Sequence, residues 1–271
     1  MLQAAIVAVA AMVAVSSSVF AQDRPPVSQC LAVANTIPRA TFVSLKSASA
    51  EKDRVVITYA GHSTYIIETA GGVVAATDFS GHYTAGKSPN VVTMNRAHST
   101  HYTLNPDPSI KHVLRGWNDG DGPIKHALTV GDTFIRNVPT DIRGYRLGSE
   151  HIMQRDGNSI FVFEVAGLCI GHLGHLHHAL DDNHYAAIGR LDIVMVPIDG
   201  SMTLSLDKMS DITRRLRASI VLPMHRFATP LSDFMAGMNG QFEMDLRTER
   251  AFTVSLDTLP KKPTIIILDG V

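Results

Sequence analysis

Apolar positions along this chain fall into short β-branched blocks first and into helix-spaced rows later. Residues 54–60 (Arg-Val-Val-Ile-Thr-Tyr-Ala) stop at Gly61, and 65–69 and 73–78 flank the turn Ala70-Gly71-Gly72. That pattern predicts a β-meander. Further strands are expected at 90–94, at 159–165 and 168–170 about the turn Ala166-Gly167, and at 192–197, 219–222 and 264–268. Between them, Leu206, Met209, Ile212 and Leu216 recur at helical spacing and predict an amphipathic helix over 206–218. Asp181-Asp182-Asn183 offers N-cap side chains for a short helix ending near Gly189, and 231–238 fits another. Strands first and strand-helix units second, with no Pro/Ser linker between, give one mixed α/β domain over 54–271.

Upstream, Pro25-Pro26 and weak periodicity mark 22–53 as an extended arm. Residues 1–21 read as a secretory signal. An apolar run from Ala4 to Val15 is too short to span a bilayer and is followed by Ser16-Ser17-Ser18 and Val19-Phe20-Ala21, although no Lys or Arg precedes Arg24. A periplasmic or secreted protein is expected, with no stable membrane association after cleavage. Cys30 and Cys169 are the only cysteines, and both a disulfide and two separate thiols stay open.

Composition narrows the function classes. The 271 residues are 45% hydrophobic, enough for a substantial core, and the formal net charge of -1 supplies no field for nucleic acid. The one basic cluster, Arg214-Arg215-Leu216-Arg217, lies on the predicted helix and reads as its wet face.

The chemistry lies in the 13 histidines. His172, His175, His177 and His178 follow the apolar run that starts at Ile160; His98 and His101 follow the 90–94 strand; His225 follows 219–222 through Pro223-Met224. Histidines at three strand ends point to one shared site, and imidazole is a preferred ligand of zinc and similar ions. His101, His175 and His225 are the expected neutral nitrogen donors, with His98 as a fourth ligand or a catalytic neighbour and His172 as a further candidate. His62, after the first strand, is a candidate catalytic group.

These same segments carry a resemblance. Gly61-His62-Ser63-Thr64, Thr77-Asp78, the His98/His101 segment, Gly171-His172-Leu173-Gly174-His175-Leu176, Val196-Pro197-Ile198-Asp199-Gly200 and Pro223-Met224-His225 occur in the order of the metallo-β-lactamase superfamily. The chain is most similar there to the branch containing ascorbate-phosphate lactonase-like proteins. The resemblance implies an αββα sandwich with its site at one edge of two sheets, and metal-dependent hydrolysis of an ester, lactone or phosphodiester. Asp78, by the same resemblance, buttresses the site loop.

The chain also departs from that pattern. Arg96 and Thr100 stand where the family's His-x-His-x-Asp-His loop has its first histidine and its aspartate, and His175 stands where a bridging Asp is usual. The family's middle metal histidine has only Asp141 and His151 as counterparts. A single zinc ion, or another divalent transition metal, is therefore expected in place of two. His175 and Arg96 should make the site more cationic and suit a small, anionic substrate. The alternative is a non-catalytic metal- or ligand-binding protein with a degenerate site. Neither composition nor motif fixes an oligomeric state.

Overall fold

A computed structural model describes residues 27–31, 53–96, 98–120, 122–144, 153–238 and 240–271. The expected signal segment, all of the 22–53 arm except 27–31 and Asp53, and His151 lie outside the described residues.

The β-branched blocks form two sheets. β1 (Val55–Gly61), β2 (Thr64–Thr69), β3 (Val74–Ala76), β4 (Val91–Met94) and β5 (His112–Arg115) build the first; β6 (Ala127–Val130), β7 (Thr133–Arg143), β8 (Met153–Val165), β9 (Leu168–His172), β10 (Ile193–Pro197) and β11 (Ile220–Met224) build the second. Three late strands, β12 (Glu243–Leu246), β13 (Ala251–Val254) and β14 (Thr264–Ile267), complete both. The spatial orders are β13-β1-β2-β3-β4-β5 and β12-β14-β11-β10-β9-β8-β7-β6.

Strand alternation sorts the core into layers. Ile57, Tyr65, Ile67 and Val91 from the first sheet meet Ile135, Phe161, Phe163, Ile170, Met195 and Leu222 from the second, all fully buried or nearly so. The opposite face of the second sheet packs Val162, Val194, Val196 and Val221 against Ile188, Met209, Ile212 and Phe234. Those last four lie on α1 (Asp182–Ile188), α2 (Leu206–Leu216) and α3 (Leu231–Gly237). The outer face of the first sheet, with Ile66, Val92 and Met94, is covered by Phe79, Ile110 and Trp117. The sandwich expected from the resemblance is present, but among the described residues its α-helices cover one outer face and irregular chain covers the other. None of these helices is long and apolar enough to cross a membrane.

Cys30 and Cys169 are joined by a disulfide. Their 139-residue separation makes the crosslink worth about 5 kcal/mol in the chain-entropy model. Beside it, the Glu164 carboxylate accepts hydrogen bonds from Ser28 Oγ (2.5 Å), Gln29 N (2.8 Å) and Arg136 Nε (2.8 Å). Arg136 also donates to the carbonyls of Ala187 and Ile188, so one buried ion pair ties segment 27–31 and α1 to the sheet.

Strand direction places the site. β1 and β3 are both antiparallel to β2, and β3 and β4 are parallel, so β1, β3 and β4 end on the same edge. β9, β10 and β11 are mutually parallel in the second sheet. At this edge Tyr65 Oη donates to Pro223 O (2.8 Å), His225 N to His62 O (2.9 Å), and Ser159 N to Asn95 Oδ1 (2.7 Å), joining the two sheets.

Candidate metal centre

The strands that end on this edge deliver the polar groups of the site. His62 follows β1, Asp78 follows β3, His98 and His101 follow β4, His175 follows β9, Asp199 follows β10 and His225 follows β11. His101, His175, Asp78 and His225 are buried to within 2%, and His62 is partly exposed. Backbone strain concentrates here: His62, Asp78, His225 and Phe227 have φ between 50° and 53°, a region costly for residues with a side chain. Such strain persists where surrounding contacts over-determine it, and it is enriched at functional sites.

Ring nitrogens of His62, His101 and His225 lie within 4.8 Å of one another, and no other such group of His, Cys, Asp or Glu occurs among the described residues. His62 Nε2 and His101 Nε2 are 3.4 Å apart. Two of the three rings are oriented by carboxylates. His101 Nδ1 donates to Asp78 Oδ2 at 2.5 Å, and His225 Nδ1 donates to Asp199 Oδ1 at 3.0 Å, so that each ring, in its neutral form, keeps its Nε2 as a lone pair.

The two carboxylates are themselves held. Asp78 Oδ1 accepts from Asn95 Nδ2 (3.0 Å). Asp199 Oδ2 accepts from the backbone of Ser201, Met202 and Thr203, and its Oδ1 also takes the Thr203 hydroxyl. Burial would push both acids up, yet both stay below the usual carboxylate range. For Asp78, the His101 charge and hydrogen bond outweigh burial; for Asp199, the bonds from His225 and Thr203 do. The histidines move the other way. Burial, then His225 and His101, bring His62 down to about 4, and burial also lowers His98.

His175 differs from its neighbours. Its ring centroid lies 4.5 Å from that of His101 and 4.8 Å from that of His225, but its Nδ1 faces His177 Nε2 at 2.6 Å in place of a carboxylate. Gly174, at φ 63°, permits this turn. A Cβ there would lie 2.3 Å from Asn158 Oδ1 and 2.5 Å from Asn95 Nδ2.

Several expectations are corrected. His172 has no lone pair to give an ion, because its Nε2 donates to Ser63 O (2.8 Å) and its Nδ1 accepts from Gly174 N (3.1 Å). His175, expected among the donors, is outside the nitrogen group that His62 enters. The charge expected from Arg96 is offset by Asp119, with which its 44% exposed side chain pairs at 3.6 Å. Asp141 accepts from Asp156 N (2.9 Å) within the β7–β8 hairpin. His98 stays at the site, 4.9 Å from His175 between ring centroids.

Sequence reasoning missed Phe227 and gave His177 no part in the site. Phe227 is 55% exposed and sets its ring edge against His62 and His225, 5.4 and 4.7 Å between centroids. Its position two residues after the last strand-end histidine was the available signal.

Residues 56–225 match the model of the β-lactamase superfamily domain. No protein of curated function matches the chain. Among solved structures, a Thermotoga maritima protein provisionally described as a Zn-dependent hydrolase of the metallo-β-lactamase superfamily is 24% identical. It covers 79% of this chain and 98% of its own, with a TM-score of 0.56. A Bacillus subtilis metallo-β-lactamase fold protein is 10% identical over 80% of this chain and 97% of its own, with a TM-score of 0.51. The family match, spanning the edge from β1 to His225, establishes that this chain belongs to the metallo-β-lactamase superfamily.

Proposed function

We propose that the protein is a metal-dependent hydrolase holding one ion, zinc or another divalent transition metal, between His62, His101 and His225. The observation that carries this reading is the convergence of three ring nitrogens within 4.8 Å, two of them backed by carboxylates. Donor chemistry fits the ion. Tetrahedral zinc with Zn–N bonds of about 2.0–2.1 Å holds its nitrogens about 3.4 Å apart, the spacing found between His62 and His101. A hydrogen bond between those two rings would account for that distance alone, but not for the third nitrogen beside it.

An ion bound there would acidify water and polarise the bond under attack. The chain's own residues do the rest. Asp78 and Asp199 fix the tautomers of His101 and His225, and so aim two lone pairs at one point. His98, partly exposed and kept neutral by burial, is placed to take a proton at the mouth of the site. Phe227 covers His62 and His225 on the solvent side with an apolar edge that a small substrate would meet. The resemblance to lactonase-like relatives puts lactones beside esters and phosphodiesters among the bonds to test. The Cys30–Cys169 bridge supports the expected oxidising, extracytoplasmic compartment.

The test is metal content followed by turnover of ester, lactone and phosphodiester reporters, in wild type and in His225→Ala. One ion per chain and activity on at least one reporter are expected, with both lost in the variant. A wild type that binds metal and turns over none of the three would instead establish the binding-only alternative.

A further inference from the structure

The hydrogen bonds behind His175 fix which of its nitrogens carries the proton. The relay starts at a group with no choice of role, the backbone N–H of Arg143, which donates to His177 Nδ1 at 2.7 Å. That N–H is held in place, because the Arg143 guanidinium binds the carbonyls of Ser201, Met202 and Thr203. With its Nδ1 lone pair engaged, neutral His177 carries its proton on Nε2. It must donate that proton to His175 Nδ1, 2.6 Å away. His175 therefore accepts at Nδ1, and as a neutral ring it carries its own proton on Nε2.

The Nε2–H of His175 is buried and meets no hydrogen-bonding partner among the described residues. Its ring packs against those of His98, His101 and His225. A buried N–H without an acceptor is rare in proteins, and an acceptor supplied by a ligand resolves it. Ligation is closed to it, since an Nε2 that bears a proton has no lone pair for an ion. His101 and His225 are the opposite case, with carboxylates taking the Nδ1 protons.

We propose that His175 is a hydrogen-bond donor to an anionic oxygen bound at the centre, a phosphate or carboxylate group of the ligand, and is not a metal ligand. His177 and Arg143 are the positioning residues that hold it in that tautomer. The inference rests on the reading of this edge as the site.

The experiment has two arms that do not depend on turnover. In the first, two-bond proton–nitrogen NMR on the 15N-histidine-labelled full protein reads the His175 tautomer, with and without zinc; its signals are assigned by comparison with His175→Gln. A protonated Nε2 and an unprotonated Nδ1 in both states are expected. A protonated Nδ1, or an Nε2 shifted by the metal, overturns the proposal. In the second arm, zinc stoichiometry and the binding of inorganic phosphate and of acetate are measured in wild type and His175→Gln. Zinc binding should stay within about threefold, while the better-bound anion weakens by about ten- to a hundredfold, as expected for a hydrogen bond to a charged group. Which anion binds better separates a phosphate from a carboxylate ligand. Loss of zinc in the variant, or unchanged binding of both anions, overturns it. Failure of the hydrolase reading would show separately, as a wild type without metal or turnover.

Discussion

Two kinds of histidine stand at this edge, and they differ in what lies behind the ring. His101 and His225 are backed by buried carboxylates, Asp78 and Asp199; His175 is backed by another histidine. A carboxylate takes the Nδ1 proton and leaves the far nitrogen as a lone pair. A histidine whose own Nδ1 is occupied donates, and leaves the far nitrogen as an N–H. The same side chain, at equivalent strand ends, is thereby given opposite hydrogen-bonding character by a neighbour one layer out.

The largest break in this comparison should come from Asp78→Ala. Asp78 has no exposed surface, and its loss leaves His101 Nδ1 and Asn95 Nδ2 without their acceptor. Unfolding free energy should fall by about 3–5 kcal/mol, as for other broken buried pairs, and metal affinity by about 10- to 100-fold. Denaturant melts and zinc titration check both. A variant with wild-type zinc affinity would show that the carboxylate does not set the donor.

How much of this was legible beforehand follows the same division. Strand ends and their histidines could be read because each apolar block stops abruptly at a polar group, as at Gly61-His62 and Met224-His225. The α1 helix was equally plain. Asp181 caps it by accepting from His184 N, and Gly189 ends it at φ 74°. β12 and β13 were not foreseen, because Glu243, Met244 and Leu246 are exposed and edge pairing with β14 and β1, not local pattern, makes these segments strands. The choice between His62 and His175 as donor was hidden for a related reason. It depends on the second nitrogen of each ring: for His175 that partner is His177, close by in sequence, but the bond that fixes the His177 proton comes from Arg143 N, 34 residues away. Spacing along the chain carries no information about a proton's position.

A second, smaller effect comes from charge on the unfolded side. His177 is brought down to about 3 by burial and then by Arg143 and His178, and His62 to about 4. The unfolded chain has ordinary histidines near 6.5, so it binds more protons than the folded one between that value and the folded ones. Stability should therefore be flat above about pH 6.5 and fall as pH drops below it, down to about 3 or 4. The slope for a fully buried ring is about 1.4 kcal/mol per pH unit, and less for His62, which is partly exposed. Denaturant melts of chelator-treated protein between pH 7.5 and 4.5 read this directly. Replacing His177 with Gln should flatten the slope, and an unchanged slope would mean that His177 titrates normally in the fold.

The smallest expected effect is also the most pointed, because it converts one kind of histidine into the other. His177→Glu puts a carboxylate behind His175. A carboxylate cannot donate, so His175 must move its proton to Nδ1 and turn an Nε2 lone pair towards the site, as His101 and His225 do. Arg143 N can still donate to the second carboxylate oxygen, so the 201–203 loop keeps its anchor. Zinc affinity should rise by about tenfold, equivalent to about 1.4 kcal/mol, while phosphate or acetate binding weakens as in His175→Gln. Direct titration with zinc and with each anion measures the pair of changes. The added negative charge alone would also raise zinc affinity and lower anion affinity, so the His175 tautomer in the variant decides between the two causes. A proton on Nδ1 would mean that the residue behind the ring decides between ligand and donor; a proton kept on Nε2 would leave charge as the cause, and the comparison between the two kinds of histidine would lose its force.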